Sequence, residues 1–133
     1  MCSSDLLGAM GTQENAPFRI ISIDWQGNFA TFSPELLGAK YEAGKKFIFG
    51  NVLRDYFEDA LKNPEFNNVA RQIRQGVDKC SLECDYFGLC GGGAPSNKFF
   101  ENGKFNSTET LHCRLHRKAP INAVMQQDRK SVV

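Results

Sequence analysis

The sequence lacks three features that would each point to a class of protein. It has no apolar run approaching the roughly 20 residues of a membrane-spanning helix, and no basic and then apolar secretory signal at its N-terminus. Sixteen Lys and Arg against fifteen Asp and Glu leave a formal net charge of only +1. No overall field therefore attracts nucleic acid or an acidic membrane, and we expect a cytoplasmic protein with neither as a partner.

The chain is also too short for two ordinary domains. Its 133 residues, 41% hydrophobic and 23% charged, have the composition of one globular domain. Residues 1–6 and 128–133 match what a common sequencing adapter would encode, so we expect both ends to be assembly artefacts. The sequence then predicts a single domain over residues 7–127, as a fragment of a longer enzyme.

The first half of the chain carries strand and helix patterns. The β-branched run 19–24, the turn residues 26–28 and the extended run 29–32 predict a β-hairpin. Residues 33–38 resemble a short helical turn, and residues 45–52 a strand broken by Gly50. Apolar residues at helical spacing predict one helix over 53–61 and another over 64–79, with Phe66, Val69, Ile73 and Val77 on its core face.

The second half has little regular pattern and contains the cysteines. From Cys80 to Pro95 the chain is rich in glycine and cysteine, which predicts loops that ordinary core packing does not order. The fold class expected is α+β: a small β-hairpin plus helices, followed by a loop-rich cysteine half wrapped around one metal cluster.

Four thiols, Cys80, Cys84, Cys90 and Cys113, form the candidate site. Their spacing, C-x3-C-x5-C-x22-C, takes three ligands from one loop and a fourth from a distant segment, an arrangement that can enclose an iron-sulfur cluster. Cys80 and Cys84, four residues apart, would share one helix face. The remaining cysteine, Cys2, lies within residues 1–6, one of the two suspected artefacts.

Other interpretations of the cysteines stay open at this point. Zinc prefers ligand pairs with short gaps, which Cys80 and Cys84 satisfy and Cys90 and Cys113 do not, although His112 and His116 could complete such a site. Disulfides are disfavoured in a reducing cytoplasm. On spacing alone, iron-sulfur and zinc are comparably supported.

Three glycines, Gly91, Gly92 and Gly93, directly follow the third cysteine. Residues without a Cβ let the backbone approach inorganic sulfide and offer it N–H groups. The alternative is that the turn needs glycine for its conformation alone.

The segment 80–94 (CSLECDYFGLCGGGA), followed by Cys113, resembles the SPASM domain, the C-terminal auxiliary-cluster extension of radical S-adenosylmethionine maturases. Residues 33–38 (SPELLG), 49–52 (FGNV) and 90–98 (CGGGAPSNK) are most similar to the maturases paired with glycine-rich-repeat precursor peptides. The resemblance covers roughly residues 18–113.

The sequence departs from that pattern at three positions. Where the family has the cysteines of a further auxiliary cluster, this chain has Ser22, Phe32 or Ser33, and Ala94. The first gap within the cysteine motif is also three residues where the family has two. The resemblance therefore implies a single auxiliary 4Fe-4S cluster, held by the four thiols named above.

The resemblance also implies a function. Such a domain serves electron transfer, substrate positioning or both in an enzyme that oxidatively modifies a ribosomally made precursor peptide. S-adenosylmethionine and its own 4Fe-4S cluster belong to a barrel with a C-x3-C-x2-C motif, which this chain lacks, so we expect no activity from the fragment alone. The expected partners are that barrel and the precursor peptide. The alternative is a zinc-stabilised protein-interaction module without a redox role.

Overall fold

A computed structural model describes residues 12–41 and 44–131. The fold is α+β, as predicted, with five short strands and a larger number of helices. Residues 1–6, one of the two suspected artefacts, lie outside the described residues, whereas the backbone of residues 128–131 continues the last helix. No helix in the described part is long and apolar enough to cross a membrane.

The predicted β-hairpin is present. Strands β1 (Ile21–Ile23) and β2 (Asn28–Thr31) pair antiparallel, and β5 (Gly50–Asn51) pairs with the other edge of β2. The Asp24 carboxylate accepts hydrogen bonds from the N–H groups of Gln26 and Asn28, each at 2.9 Å. This Asx turn, with Gly27 at φ 87°, closes the hairpin.

The strand predicted over 45–52 is instead two strands in two sheets. Strand β4 (Lys45–Lys46) pairs with β3 (Lys40–Tyr41), while β5 joins the first sheet. The intervening Phe47 and Phe49 are both buried in the core. Gly50 marks the change, because a Cβ there would lie 2.6 Å from the Phe29 ring.

The helix predicted over 53–61 is shorter than expected. Helix α1 spans only Phe57–Ala60, and Leu53 is 81% exposed. The preceding residues form a side-chain turn, since Asn51 Oδ1 accepts from the Leu53 N–H at 2.9 Å and Asp55 Oδ2 accepts from the Asn51 N–H at 3.0 Å. These local bonds compete with helix formation.

Helix α2 (Pro64–Glu83) is the longest element and extends beyond its predicted end. Asn63 caps it, accepting from the Glu65 N–H at 2.9 Å, and Pro64 occupies the first turn. Its buried stripe recurs at spacings of three and four residues and consists of Phe66, Val69, Ile73, Gly76 and Cys80. The predicted core positions are thus confirmed, with Val77 half-buried beside the stripe.

The cysteine half differs from the predicted loop-rich segment, because much of it is helical. Short helices α3 (Phe87–Cys90) and α4 (Pro95–Asn102) are followed by α5 (Leu111–Cys113), a π-helical stretch (Arg114–Lys118) and α6 (Ala119–Ser131). Gly91 and Gly103 end α3 and α4 in the left-handed conformation. Among the glycines that predicted loops, Gly91 is therefore a helix cap, while Gly92 and Gly93 lie between α3 and α4, also at positive φ.

The core is dominated by phenylalanine. Phe66 stacks with Phe18 and Phe32 at centroid distances of 5.4 and 5.9 Å, and Phe47 meets Phe99 and Phe105 edge-on at 5.1 and 5.5 Å. Such pairs add to ordinary apolar burial. Phe105 belongs to this core cluster and Phe99 packs against it, so the core extends into the cysteine half.

Candidate metal centre

All four predicted cysteines line one cavity of about 450 Å³. They come from three separate helices, and none forms a disulfide. Cys80 and Cys90 are buried, and Cys84 and Cys113 are half-buried. Residues far apart in the chain thus present their thiols to a common space, as the spacing predicts.

The end of helix α2 positions the first two thiols. Cys80 lies on the buried stripe of α2, and Cys84 is the residue that ends the helix. The Cys84 N–H donates to the Cys80 carbonyl oxygen at 2.9 Å, so the helical relationship persists up to Cys84. Because residues four apart lie on one helix face, both thiols reach the same cavity.

Cys90 is fixed by the short helix α3. Its N–H donates to the Tyr86 carbonyl oxygen at 3.0 Å, and the Gly91 N–H donates to the Phe87 carbonyl oxygen at 2.8 Å. Gly91 adopts φ 73°, which favours glycine. The chain can therefore reverse directly after Cys90.

Cys113 is held at the start of the C-terminal helices. Thr110 caps α5, and its Oγ1 accepts from the Cys113 N–H at 3.0 Å. The Glu101 carboxylate accepts from the N–H groups of Leu111 and His112 at 2.8 and 3.3 Å. Two side-chain acceptors at a helix N-terminus satisfy its free N–H groups and fix where Cys113 points.

Tyr86 connects the C-terminal helices to the cysteine loop. Its hydroxyl donates to Asn122 Oδ1 at 2.5 Å, and the Lys118 ammonium lies 5.6 Å from the centre of its ring. Lys118 also forms an ion pair with Glu109, with Nζ 2.5 Å from Oε1. That contact lowers the pKa of the Glu109 carboxyl and raises the pKa of Lys118.

The pKa of the Cys113 thiol shows that the other thiols are close. Burial raises this pKa, and the charges of Cys90 and Cys84 raise it further, whereas Thr110 and Lys118 act in the opposite direction. Thiols that repel one another as anions favour a cation between them. A bound metal would remove both penalties by replacing the protons.

Lys98 lines the cavity as well, which no pattern in the sequence predicted. It lies on α4, its side chain is only 3% exposed, and its Nζ lies 3.4 Å from Cys80 Sγ in the cysteine cavity. Fully buried lysines are rare unless they have a partner of opposite charge. The one signal in the sequence was a lysine three residues after Pro95, at the end of the segment CGGGAPSNK (90–98).

The cavity differs from a site for one metal ion. Within residues 12–41 and 44–131, no three Cys, His, Asp or Glu side chains converge closely enough to hold a single ion. Four ligands around one zinc ion lie on a sphere of about 2.3 Å radius, whereas four iron atoms and their sulfides hold thiolates farther apart. Four thiols are the ligand set that a 4Fe-4S cluster takes, and four line this cavity.

The two histidines do not join the thiols as a pair. His112 lines the cavity, but His116 does not, and the two rings stack on each other with centroids 4.5 Å apart. His116 is exposed on the outer face of the helix. This placement gives no support to a zinc site completed by both histidines.

The three glycines after Cys90 have a conformational role. Gly91, Gly92 and Gly93 have φ values of 73°, 111° and 71°, so each occupies a backbone region that other residues rarely adopt. The Gly91 N–H is taken up by the α3 cap, so it is not free to face a cluster as predicted. Gly92 and Gly93 do line the cavity.

Among the positions where SPASM domains have further cysteines, Ala94 lines this cavity, whereas Ser22 and Ser33 do not. Ser33 is buried, and its Oγ accepts from the Ser96 N–H at 3.2 Å, two residues after Ala94. Ser22 lies in β1 opposite Ala30. The hydroxyl of Ser33 thus connects the sheet half of the domain to the cysteine half.

One known protein is similar to this chain. The chain is 59% identical over 104 residues to the uncharacterized protein sll1766 of Synechocystis sp.. The match covers 78% of this chain but 26% of the relative, so the chain spans about a quarter of the relative's length. No family model and no solved structure matches the chain.

Proposed function

We propose that Cys80, Cys84, Cys90 and Cys113 hold one auxiliary 4Fe-4S cluster, and that the chain is the cluster-binding part of a radical S-adenosylmethionine enzyme that modifies a precursor peptide. The observation that carries the proposal is the single cavity lined by four thiols from separate helices. The cysteine pattern and its resemblance to SPASM domains supply the rest of the argument.

The electrostatics of the cavity support a group with anionic ligands. Negative charge in the cavity stabilises a buried ammonium beside Cys80, and Glu14, Glu35, Glu83 and Glu109 line the same cavity. Four thiolates around a cluster would supply further negative charge close to Lys98. The same group would replace the thiol protons of Cys84, Cys90 and Cys113, whose thiolate charges otherwise repel one another.

The chain's own residues then have defined roles. Helix α2 presents Cys80 and Cys84, the reversal at Gly91 turns the chain after Cys90, and Thr110 orients Cys113. A bound 4Fe-4S cluster accepts and donates single electrons. The half-buried edge at Cys84 and Cys113 is the side from which an electron or a substrate could approach.

The size of the relative is compatible with a catalytic barrel elsewhere in the longer protein. Since 104 matched residues make up 26% of the relative, it is about 400 residues long, and a barrel of this kind needs about 200 residues or more. We expect a C-x3-C-x2-C motif in the part of the relative that this chain does not cover. A relative without such a motif would argue against the radical-enzyme context while leaving the cluster untouched.

Anaerobic loading with competing metals tests the cluster. The purified apo-protein is offered ferrous iron with sulfide in one sample and zinc in another, and metal, sulfide and visible absorption are measured. We expect a brown protein with about four irons and four sulfides per chain. A colourless protein that takes up one zinc with high affinity and no iron would instead support the protein-interaction module.

A further inference from the structure

Lys98 occupies an unusual position for a lysine. Helix α4 begins at Pro95, immediately after the glycine-rich reversal, and carries Lys98 inward so that only 3% of its surface is exposed. Its side chain points into the cysteine cavity, on the same side as Cys80. Burial of an ammonium requires compensation close by.

The group beside Lys98 that can compensate the ammonium charge is the sulfur of Cys80. Among the residues that the structure describes, no carboxylate lies within ion-pair distance of Lys98, since the ion pairs found there are Lys45 with Glu65 and Lys118 with Glu109. Lys98 Nζ donates a hydrogen bond to Cys80 Sγ at 3.4 Å. A charge-assisted bond of this kind is strong when its acceptor is an anion.

The surrounding backbone makes room for this ammonium. Gly76 lies one helical turn before Cys80, and a Cβ built there would approach Lys98 Nζ to 3.3 Å. A glycine in the interior of a long helix is unfavourable by about 1 kcal/mol relative to alanine. Its presence at this position is explained by the close packing around the lysine and the neighbouring loop.

We propose that Lys98 donates to the Cys80 thiolate of the loaded site and thereby raises the reduction potential of the cluster. The inference rests on the proposed function. One-electron reduction, with the electron supplied by an added reductant such as dithionite, makes the thiolate-ligated cluster one unit more negative. A fixed positive charge and an N–H donor at the ligating sulfur stabilise that reduced form more than the oxidised form.

Lys98 is a positioning and tuning residue in this proposal, because it acts through Cys80. Its effect should therefore appear in the potential and not in the amount of iron bound. Lys98→Met removes the charge and the donor with little change in length, whereas Lys98→Arg keeps both.

The test is an anaerobic redox titration of the loaded protein, followed by visible absorption and electron paramagnetic resonance. At a fixed solution potential, we expect the reduced-to-oxidised ratio of Lys98→Met to be about tenfold below that of the wild type, equivalent to about 59 mV for one electron. Lys98→Arg should lie close to the wild type. Iron content should remain at the wild-type value in both variants.

Lys79→Met is the matched control. Lys79 is adjacent to Cys80 in the sequence and its loss changes the net charge equally, but it is exposed and donates to the Asn106 carbonyl oxygen at 2.9 Å. Solvent screens an exposed charge, so this variant should titrate like the wild type. If Lys98→Met does not bind iron, the same redox titration is made on Lys98→Gln, which lacks the charge but can still donate. Its reduction potential then tests the role of the Lys98 charge.

The outcomes separate the two proposals. A fully loaded Lys98→Met protein with an unchanged potential overturns the role of Lys98 and leaves the cluster in place. A shift of equal size in Lys79→Met would also overturn it, because the effect would then be one of net charge. A wild-type protein that takes up no iron overturns the proposed function itself.

Discussion

Gly76 lies so close to Phe105 that a Cβ on Gly76 would clash with the Phe105 carbonyl oxygen. The same Cβ would lie 3.2 Å from the Ser107 carbonyl oxygen. The segment between α4 and α5 therefore packs directly on helix α2, one turn before Cys80. This contact fixes the cavity wall that carries Lys98 relative to the helix that carries two of the thiols.

Gly76→Ala should destabilise the protein by about 1–3 kcal/mol, because a backbone oxygen cannot move aside as a flexible side chain can. The measurement is urea unfolding followed by circular dichroism. The better helix propensity of alanine would act in the opposite direction, by about 1 kcal/mol.

Gly88→Ala is the control for that substitution. Gly88 lies in helix α3, and a Cβ there meets no atom within 4 Å. We expect this variant to be as stable as the wild type or slightly more stable. Equal unfolding midpoints for Gly76→Ala and Gly88→Ala would contradict the close packing at Gly76.

Thr110→Ala should loosen the helix that carries Cys113. The substitution removes the hydroxyl that accepts from the Cys113 N–H, and loss of such a cap lowers the free energy of unfolding by about 1 kcal/mol. Thr110→Ser, which keeps the oxygen, should behave like the wild type. Identical stability of the alanine and serine variants would show that the cap does not hold the helix.

The ion pair of Glu109 and Lys118 predicts how stability varies with pH. The pKa of Glu109 is lowered from 4.5 in the fold, so its contribution is present above that value and is lost as the pH falls through the folded pKa. The pKa of Lys118 is raised from 10.5, so its contribution is present below that value and is lost as the pH rises through the folded pKa.

Glu109→Gln should therefore weaken the fold at neutral pH and have no effect in strong acid. Thermal unfolding of the wild type and the variant at about pH 7 and about pH 2 measures the difference, which should be small because the pair is exposed. A gap between the two proteins that persists at the acid end would contradict the assignment to this carboxyl.

Ser33→Ala tests the connection between the two halves of the domain. Without the hydroxyl, the buried N–H of Ser96 lacks the acceptor that it has at 3.2 Å, and a buried donor left without a partner costs about 1–3 kcal/mol. Ser81→Ala removes an exposed hydroxyl that bonds only the Asp78 carbonyl oxygen of its own helix, so it should change stability little. The comparison is made by urea unfolding.

Local patterns were sufficient to predict the hairpin and the first four turns of α2, but not the strands over 45–52 or the length of α1. The hairpin follows from β-branched residues around turn chemistry at Asp24 to Asn28, and α2 from the cap at Asn63 and the stripe beginning at Phe66. The end of α2 was missed, although Cys80 continues the spacing of Ile73 and Gly76. Cys80 is both a candidate ligand and a buried residue of the helix.

The positions of Cys113 and Lys98 could not be predicted from local patterns, because they depend on contacts between distant segments. That Cys113 reaches the cavity depends on Glu101 and Tyr86, which hold the C-terminal helices from outside them. The sequence around Lys98 is typical of a surface lysine on a short polar helix. Only the packing of α4 against α2 places its ammonium beside Cys80. Neither relationship leaves a periodic signal in the sequence.

Removing one thiol from each of the two cysteine-bearing stretches tests the central claim most directly. Iron and sulfide are measured after anaerobic loading of the wild type, the Cys84→Ala/Cys113→Ala double variant and Cys2→Ala, which changes the cysteine outside the proposed site. The account predicts about four irons per chain in the wild type and in Cys2→Ala, and almost none in the double variant. A double variant that binds as much iron as the wild type would contradict it.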